Sequence, residues 1–252
     1  MTASVAALIP AFNCAAVIAA VVRGARRFVP DVLVVDDGSG DGTAAVARAA
    51  GARVVVHDQN RGKGPALRSG LAVLLGEQWT HVLMLDGDGQ HDPEDIPGFL
   101  AAGETVDLAL GNRLHRPEAI PAKRFWTNFI GTRALELMTG YPLEDSQCGF
   151  RLLAAPLLRR MSLVGNRYSV DTEMLVRSGK LRARFAHVPV RVIYGGVTPS
   201  HFRPLRDTVH SVLSAVRFKV DEGDLRVDPG PDAWRHLVTV PTVLPSLLEA
   251  TA

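Results

Sequence analysis

Residues 4–112 alternate between short apolar runs and segments of helical composition, and this alternation constrains the fold more than any other feature of the chain. The apolar runs contain no regular polar positions, which is typical of strands that are covered on both faces. Such strands, when helices join them, form a mostly parallel sheet with helices on both faces. The sequence therefore predicts an α/β fold. The predicted strands are 4–10, 31–37, 52–58, 80–86 and 106–112, and the helices between them are 15–28, 41–51, 63–77 and 93–103.

The pattern is less regular after residue 113, although it still contains recognisable elements. Helices are predicted over 121–140, 170–179 and 204–220, and either a strand pair or one bent strand over 183–194. The last residues are rich in proline, which is typical of a loosely ordered segment. We therefore expect one domain over residues 1–220 and a C-terminal extension over residues 221–252.

Composition excludes several classes of protein. A net charge of +2 over 252 residues gives no electrostatic reason to expect a nucleic-acid partner. The two cysteines, Cys14 and Cys148, indicate neither a disulfide framework nor a zinc site, which favours the reducing cytoplasm. The N-terminus lacks a basic signal-peptide region, and no run approaches the roughly 20 apolar residues of a spanning helix. We therefore expect a cytoplasmic protein, at most peripheral at the inner face of a membrane. The predominance of Arg over Lys is typical of a bacterial genome of high GC content.

Polar clusters follow four of the predicted strands, at 10–13, 36–43, 86–90 and 111–113. Ligands of open α/β sheets bind beyond the carboxyl ends of the strands, so these clusters are expected to share one rim. A single Asp at a strand end is more often a turn residue or a helix cap. Four clusters on one rim are hard to explain in that way.

The segment LMLDGDGQHDP places three acidic residues, Asp86, Asp88 and Asp92, close together at a strand end. Their carboxylates would repel one another unless a cation neutralised them. Oxygen ligands suit Mg²⁺ or Mn²⁺, which bind through one or two carboxylates and the phosphates of a substrate. The alternative is a simple acidic turn, and this short motif alone does not decide between the two.

Two further segments suggest a phosphate-containing ligand. In VVDDGSGDGT, Asp37, and after it Asp36, could accept hydrogen bonds from a base or from ribose hydroxyls, whereas Asp41 is expected to cap a helix. In NRGKGPALRSG, Lys63 lies at a predicted helix start, where anions bind. A solvated surface lysine is an equally good interpretation of Lys63.

Together these residues carry a resemblance to a known family. The motifs PAFN, VVDDGSGDGT, NRGKGPALRSG, LDGDGQHDPEDIP, GNR and DSQCGFR occur in the order and approximate spacing of the family 2 glycosyltransferases. Over roughly residues 4–220, the chain most resembles the dolichol-phosphate mannosyltransferases and polyprenyl-phosphate glycosyltransferases. The resemblance implies a GT-A fold with a Rossmann-like sheet and a nucleotide-sugar donor, such as UDP-glucose or GDP-mannose. It also implies a divalent metal, Mg²⁺ or Mn²⁺, and inversion at the anomeric carbon.

The resemblance also implies roles for individual residues. The metal ligands would be Asp86, Asp88 and Gln90. Arg113 matches an Arg near the donor phosphates, and Asp145 matches the base of relatives with hydroxyl acceptors, so Asp88, Arg113 and Asp145 are the catalytic candidates. The candidate nucleotide-sugar residues, from the family positions and the strand ends, are Pro10, Phe12, Asn13, Asp36, Asp37, Lys63, Asp86 and Gly87.

Two residues depart from the family pattern. The family usually has PAYNE where this chain has PAFNC. Cys14 therefore replaces a carboxylate near the base or ribose, which puts that nucleotide contact in question. Phe12 replaces Tyr and keeps the stacking face.

The acceptor determines what the nucleophile needs. A lipid phosphate, with a second pKa of about 6, is already largely ionised at neutral pH and needs cations to hold it. The candidates are Arg124, Arg151 and Arg203. A hydroxyl acceptor would need a base, for which Asp145 is the candidate. The segment KRFWTNFIGTRALEL has the composition of a helix on an anionic interface, and the alternative, slightly favoured, is a core helix with its polar side in water. The two need not exclude each other, because one face of the helix could do each.

The sequence thus predicts a metal-dependent, inverting glycosyltransferase that moves a hexose from a nucleotide sugar to a polyprenyl or dolichyl phosphate. Its partners would be the donor, the lipid phosphate and a membrane surface. The first alternative is a family 2 enzyme with a hydroxyl acceptor, such as a saccharide. A sugar nucleotidyltransferase is disfavoured because the usual GxGTR loop is replaced by PAFN. A non-catalytic nucleotide-binding protein is the remaining alternative.

Overall fold

A computed structural model describes residues 4–115, 120, 122–166, 169–191, 193, 214 and 218. The predicted helix over 204–220, the extension over 221–252 and Arg203 lie outside these residues, apart from positions 214 and 218. The backbone of Arg124 lies in a helix that the structure describes, whereas its side chain is not among the described parts of the chain.

The first part of the described chain alternates strands and helices as predicted. Its strands are β1 (Val5–Ala11), β2 (Asp31–Asp36), β3 (Arg53–Val56), β4 (His81–Met84) and β5 (Leu108–Asn112). Its helices are α1 (Ala15–Ala25), α2 (Thr43–Ala49), α3 (Lys63–Leu75) and α4 (Ile96–Gly103). The second part consists of α5 (Ala122–Thr139), β6 (Arg151–Ala154), α6 (Ala155–Leu158), α7 (Ser169–Lys180) and β7 (Phe185–Pro189).

The strands form one seven-stranded sheet in the order β3-β2-β1-β4-β6-β5-β7. Only β6 is antiparallel to its neighbours β4 and β5, and all other pairs are parallel. The predicted mostly parallel sheet is confirmed, and β1, β2, β4 and β5 end at the same rim. Over 183–194 the described residues contain one strand, β7, so the strand pair is not formed there.

The antiparallel strand β6 was not predicted. It is only four residues long and continues directly into α6. Because β6 runs against its neighbours, its first residue, Arg151, pairs with Met84 near the end of β4. The segment that precedes β6, including the DSQCGF motif, therefore lies at the rim where the parallel strands end.

Two apolar layers cover the two faces of the sheet. One contains residues of α1, α2 and α4, and the other contains residues of α3, α5 and α7. Alternate residues of β1 point into the two layers, since Ile9 packs in the first and Leu8 in the second. Burial on both faces explains why the strands read as uninterrupted apolar runs. None of the helices in the described part of the chain is long and apolar enough to cross a membrane.

The stack of Phe99 on Phe150 joins α4 to the segment before β6, with ring centroids 4.3 Å apart. Both side chains are fully buried. We expect Phe99→Ala to lower the free energy of unfolding by about 3–5 kcal/mol, because it removes apolar contacts and leaves a cavity. Urea denaturation measures this change. Val56→Ala, at an exposed position of β3, is the control, and an equal loss in both variants would contradict the packing role of Phe99.

Candidate active site

The loop after β4 contains the predicted metal ligands and is folded back on itself. The backbone N–H of Asp86 donates to His91 Nδ1 at 3.2 Å, and that of Gln90 donates to Asp88 Oδ1 at 3.0 Å. His91 is buried against Phe150, and burial lowers its pKa to about 4. A neutral imidazole that accepts at Nδ1 therefore helps to fix the loop that carries Asp86, Asp88 and Gln90.

The oxygen atoms of this loop fit a hard divalent cation. Burial alone would raise the pKa of Asp86, but the neighbouring Lys63 lowers it below the usual range, so Asp86 is ionised at neutral pH. Two carboxylates and one amide oxygen are ligands that Mg²⁺ and Mn²⁺ accept. No group of three or more His, Cys, Asp or Glu side chains that could hold a metal occurs among the described residues. With two carboxylates and one amide, a cation held by this loop would need further ligands from elsewhere, and metal binding here stays a prediction.

Asp92, the third acid of the opening motif, belongs to a different structure. Its Oδ1 accepts the N–H of Glu94 at 3.0 Å, and its Oδ2 lies 3.3 Å from Arg191. It caps the 3-10 turn at Pro93–Asp95. The close spacing of the three acids thus serves two purposes, a candidate metal site and a helix start.

Lys63 is the cation at the centre of the site. Its Nζ lies 2.8 Å from Asp86 Oδ1 and 2.9 Å from Asp171 Oδ2, and only 13% of its side chain is exposed. Burial would lower the pKa of Lys63, but Asp171 and Asp86 together raise it well above its usual value. The alternative of a solvated surface lysine is therefore wrong. A permanently charged ammonium group lies at the start of α3, beside the candidate metal ligands.

Gly149 of the DSQCGFR motif packs directly against this ion pair. A Cβ atom at this position would lie 2.7 Å from Asp86 Oδ2 and 2.9 Å from Lys63 Nζ. Both distances are shorter than ordinary contacts, so only glycine lets the loop approach so closely. The motif thus encloses the metal loop from the side of β6.

Arg113 and Asp145, two of the catalytic candidates, are bound to each other. The Nε and one terminal nitrogen of Arg113 donate to the two oxygens of Asp145, at 2.7 and 3.0 Å. The Asp145 side chain has no exposed surface. Burial opposes ionisation, but Arg113 holds the pKa of Asp145 below its usual range. In this structure Asp145 positions Arg113, and its predicted role as a base stays a prediction.

Arg151 was predicted to bind the acceptor phosphate, and the structure contradicts this. Its side chain is fully buried. Its guanidinium group donates to the backbone oxygens of Asp171, at 2.9 Å, and Cys148, at 2.6 Å. Arg151 therefore joins the loop before β6 to the start of α7 and has no surface for a ligand. The reason is that β6 enters the sheet at this residue.

The two carboxylates at the end of β2 support loops. Asp37 accepts the N–H groups of Arg61 and Gly62, the latter at 2.6 Å, and lies 2.7 Å from His57 Nδ1. Asp36 accepts the N–H of Ser39 at 3.0 Å. Both are buried. Asp37 therefore holds the segment that leads into Lys63, and its predicted contact with a base or ribose stays a prediction.

The end of β1 is bound to the loop after β2. The side chain of Asn13 accepts the N–H of Gly40 at 3.0 Å, and its backbone N–H donates to Ser39 Oγ at 2.8 Å. Asp41 accepts the N–H of Thr43, the first residue of α2, at 3.0 Å, although the N-cap position itself is Gly42. Its second oxygen accepts the N–H of Ala15 at the start of α1. The predicted nucleotide residues of these two loops thus form one connected rim.

The remaining predicted nucleotide residues lie where β1 and β4 meet. The N–H of Gly87 donates to the carbonyl oxygen of Pro10 at 3.2 Å. A Cβ at Gly87 would lie 3.1 Å from that same oxygen, so the position needs a small residue. Pro10 and Phe12 are half-buried beside it.

Cys14 does not enter the rim. It is 3% exposed, packs in the apolar layer of α1, and donates its N–H to Thr43 Oγ1 at 2.9 Å. Burial raises its thiol pKa to about 12. Both Cys14 and Cys148 are free, as their number and spacing predict. Cys14, which stands where the family usually has Glu, is therefore a packing residue, and its side chain supplies no polar group to the site.

Helix α5 packs on the sheet and also exposes large apolar side chains. Its buried side includes Asn128 and Thr132, whose hydroxyl lies 3.0 Å from Ser146 Oγ. Leu135, on the same side, is fully buried in the core, whereas other large apolar side chains are exposed, with Trp126 at 58% and Ile130 at 64%. One side of the helix thus packs in the core, but the side that faces water is apolar and not polar as the core interpretation expected. The exposed apolar residues are Trp126, Phe129, Ile130 and Leu137, which we call the α5 apolar face.

Sequence reasoning missed Asp171 and Glu173. Asp171 contacts Lys63, and Glu173 accepts the N–H of Gly165 at 2.6 Å and pairs with Arg177 at 2.8 Å. The spacing of Glu173 and Arg177, four residues apart in a predicted helix, was the available signal. Nothing in the sequence shows that this helix is buried along almost its entire length.

The buried Arg113–Asp145 pair yields a stability prediction. We expect Asp145→Asn to lower the free energy of unfolding at pH 7 by about 3 kcal/mol, because Arg113 would lose its charged partner. Since the pKa of Asp145 is depressed in the fold, its contribution is present above the unfolded pKa of about 3.9 and is lost at lower pH. The difference between variant and wild type, from urea denaturation, should therefore narrow below that pH.

Asp107→Asn is the matched control for this prediction. Asp107 pairs with Arg184 at an exposed position, where an ion pair contributes at most about 1 kcal/mol. An equal loss of stability in the two variants would contradict the assigned role of Asp145.

The rim carries the candidate metal loop, the Lys63 ammonium group and the Arg113 guanidinium group, on a mostly parallel α/β sheet. This is the architecture expected of a GT-A fold glycosyltransferase. The family model described as Glycosyl transferase family 2 matches residues 6–161. The chain therefore belongs to glycosyl transferase family 2.

Similar proteins agree with this assignment. Glycosyltransferase AglJ of Haloferax volcanii is 34% identical over 218 residues, which cover 85% of this chain and 68% of AglJ. Undecaprenyl-phosphate mannosyltransferase of Micrococcus luteus is 31% identical over 199 residues, 74% of this chain and 82% of that protein. The solved glucosyl-3-phosphoglycerate synthase of Mycobacterium tuberculosis, with Mn²⁺, UDP and phosphoglyceric acid, has a TM-score of 0.65 at 19% identity. The aligned region covers 86% of this chain and 77% of the synthase, and the likeness concerns the fold.

Proposed function

We propose that this protein is a metal-dependent, inverting glycosyltransferase that moves a hexose from a nucleoside-diphosphate sugar to a polyprenyl or dolichyl phosphate. The observation that carries the proposal is the closed Arg113–Asp145 pair. The carboxylate at the family's base position is fully buried and bound by Arg113. An acceptor that is ionised before it binds needs no such base.

The two kinds of acceptor differ in whether the attacking oxygen still carries a proton. A hydroxyl group has to lose a proton as it attacks, and a positioned base usually takes it. A phosphate monoester has a second pKa of about 6, so at neutral pH it already carries a nucleophilic oxygen anion. The site is therefore better suited to a phosphate than to a hydroxyl. The name of the Micrococcus luteus relative supports the same class of acceptor.

In the proposed reaction a phosphate oxygen of the acceptor forms a bond to the anomeric carbon. The bond from that carbon to the donor diphosphate breaks, and its electron pair leaves with the nucleoside diphosphate. Attack on the face opposite the leaving group inverts the configuration. No proton has to be removed from the nucleophile.

The protein's contribution is positioning and charge. Asp86, Asp88 and Gln90 would hold Mg²⁺ or Mn²⁺, which supplies Lewis-acid stabilisation of the leaving diphosphate. Lys63 and Arg113 add fixed positive charge near the developing negative charge. Both cations are held by buried carboxylates, so they need no rearrangement when charge develops.

The α5 apolar face supports a lipid acceptor. Large apolar side chains on one exposed helix face are typical of a membrane contact, whereas isolated ones are common on any surface. Thr132, on the buried side of α5, lies 3.0 Å from Ser146, the neighbour of Asp145. A membrane bound at this face would therefore lie close to the site. We infer that the enzyme works in the cytoplasm, peripherally at the inner face of the membrane.

Acceptor class can be tested with two lipids that differ only in the phosphate. Purified protein is incubated with Mn²⁺ and radiolabelled UDP-glucose or GDP-mannose, together with undecaprenyl phosphate or undecaprenol in detergent. We expect labelled lipid only with the phosphate, and its loss with EDTA or in Asp88→Ala. Transfer to undecaprenol at a similar rate would contradict the proposal and favour a hydroxyl acceptor.

The membrane contact is tested separately with vesicles. We expect the Trp126→Glu/Ile130→Glu variant to lose at least about tenfold in affinity for phosphatidylglycerol vesicles, because it places charge in an apolar contact. Vesicle co-sedimentation measures the affinity. Val56→Glu, on the exposed edge of β3, is the control and should bind like wild type. Unchanged binding of the α5 variant would contradict this contact.

A further inference from the structure

Asp171 is a buried carboxylate for which the family motifs supply no role. It lies in the first turn of α7, and its Oδ2 is 2.9 Å from Lys63 Nζ. On its other side, Arg151 donates to its backbone oxygen at 2.9 Å and lies 3.5 Å from its Oδ1. Asp171 thus connects two buried cations.

These contacts form a row of alternating charges that ends at the metal loop. The order is Asp86, Lys63, Asp171 and Arg151, and neighbouring groups lie 2.8, 2.9 and 3.5 Å apart. The sheet fixes both ends, because Arg151 pairs with Met84 and Asp86 follows that strand after one residue. The position of Asp171 relative to Asp86 is therefore determined by the packed core.

Lys63 forms its ion pair with Asp86 through Oδ1, at 2.8 Å from Nζ. The other oxygen of Asp86, Oδ2, lies on the side of Gly149, where a Cβ atom would come within 2.7 Å of it. An ammonium group with a single buried carboxylate partner would compete directly with a metal for that carboxylate. A second carboxylate on the opposite side of the ammonium group reduces this competition.

We propose that Asp171 is a positioning residue of the metal site, which shares the Lys63 ammonium group with Asp86 and so leaves Asp86 available to the metal. This inference rests on the proposed metal site at Asp86, Asp88 and Gln90. Asp171 is not one of the candidate metal ligands, and its ion pairs are with Lys63 and Arg151. Its effect reaches the metal through Lys63.

The test measures Mn²⁺ affinity in a double-mutant cycle, from the electron paramagnetic resonance signal of free Mn²⁺. We expect Asp171→Asn to weaken Mn²⁺ binding about tenfold, the usual size of effect for partners of metal ligands. Lys63→Met should bind Mn²⁺ at least as tightly as wild type. The double variant should return to within about twofold of wild type, because the competing charge is gone.

A purely structural role of Asp171 gives a different result. If Asp171→Asn distorted the loop, removal of the Lys63 charge would not restore the affinity. Asp107→Asn, a remote Asp-to-Asn change, is the control and should bind Mn²⁺ like wild type. If Asp171→Asn does not fold, the Lys63→Met variant provides the test. Weaker Mn²⁺ binding by Lys63→Met than by wild type would overturn the proposal that Lys63 competes with the metal for Asp86.

The possible failures are distinguishable. Absence of Mn²⁺ binding by the wild type, at millimolar metal, would contradict the proposed metal site itself and the inference with it. Normal binding by the wild type, with equal affinity in Asp171→Asn, would overturn only the role of Asp171. The choice of acceptor does not enter either measurement.

Discussion

A buried ammonium group, that of Lys63, joins three elements of the structure at the rim of the sheet. Lys63 is the first residue of α3. Its ammonium group pairs with Asp86 in the loop after β4 and with Asp171 in the first turn of α7. Removal of one partner from a buried ion pair costs several kcal/mol, because the remaining charge loses its compensation. The positions of α3, the metal loop and α7 are therefore coupled. For the diphosphate donor that we propose, the site would begin with one positive charge already in place.

The antiparallel strand β6 brings a further loop to the rim of the sheet. Parallel strands alone would bring the loops after β1, β2, β4 and β5 to the rim. Because β6 is antiparallel, the loop that enters it, with Asp145 and Gly149, reaches the same rim from the opposite direction. That loop supplies the partner of Arg113 and the close contact at Asp86. The family motifs thus become neighbours through one exception to an otherwise parallel sheet.

Much of this organisation could be predicted from the sequence, and the exceptions have physical reasons. Uniform apolar runs identify strands covered on both faces, and glycines beside acidic residues identify the rim. The four-residue strand β6 is too short for a periodic signal. The burial of Arg151 was not predictable either, because its partners Cys148 and Asp171 are brought to it by strand pairing and by a helix packed on the sheet. A charged residue in a family motif can serve the frame of a site as well as its ligand.

The orientation of helix α5 could not be predicted from its composition. Its composition fitted both an interface helix and a core helix, and only packing decides which face is buried. Thr132, Asn128 and Leu135 are buried while Trp126 and Ile130 are exposed, so the helix carries apolar residues on both sides. The exposed apolar side is the one that we propose to contact the lipid.

The most direct measurement of the central claim is the ³¹P NMR spectrum of the purified lipid product. If the hexose is transferred to the acceptor phosphate, we expect the phosphomonoester resonance of undecaprenyl phosphate to be replaced by a phosphodiester resonance, with one hexose attached for each phosphorus atom. A hexose attached elsewhere, with the phosphomonoester resonance unchanged, would contradict the account, since the nucleophile would then be a group other than the acceptor phosphate.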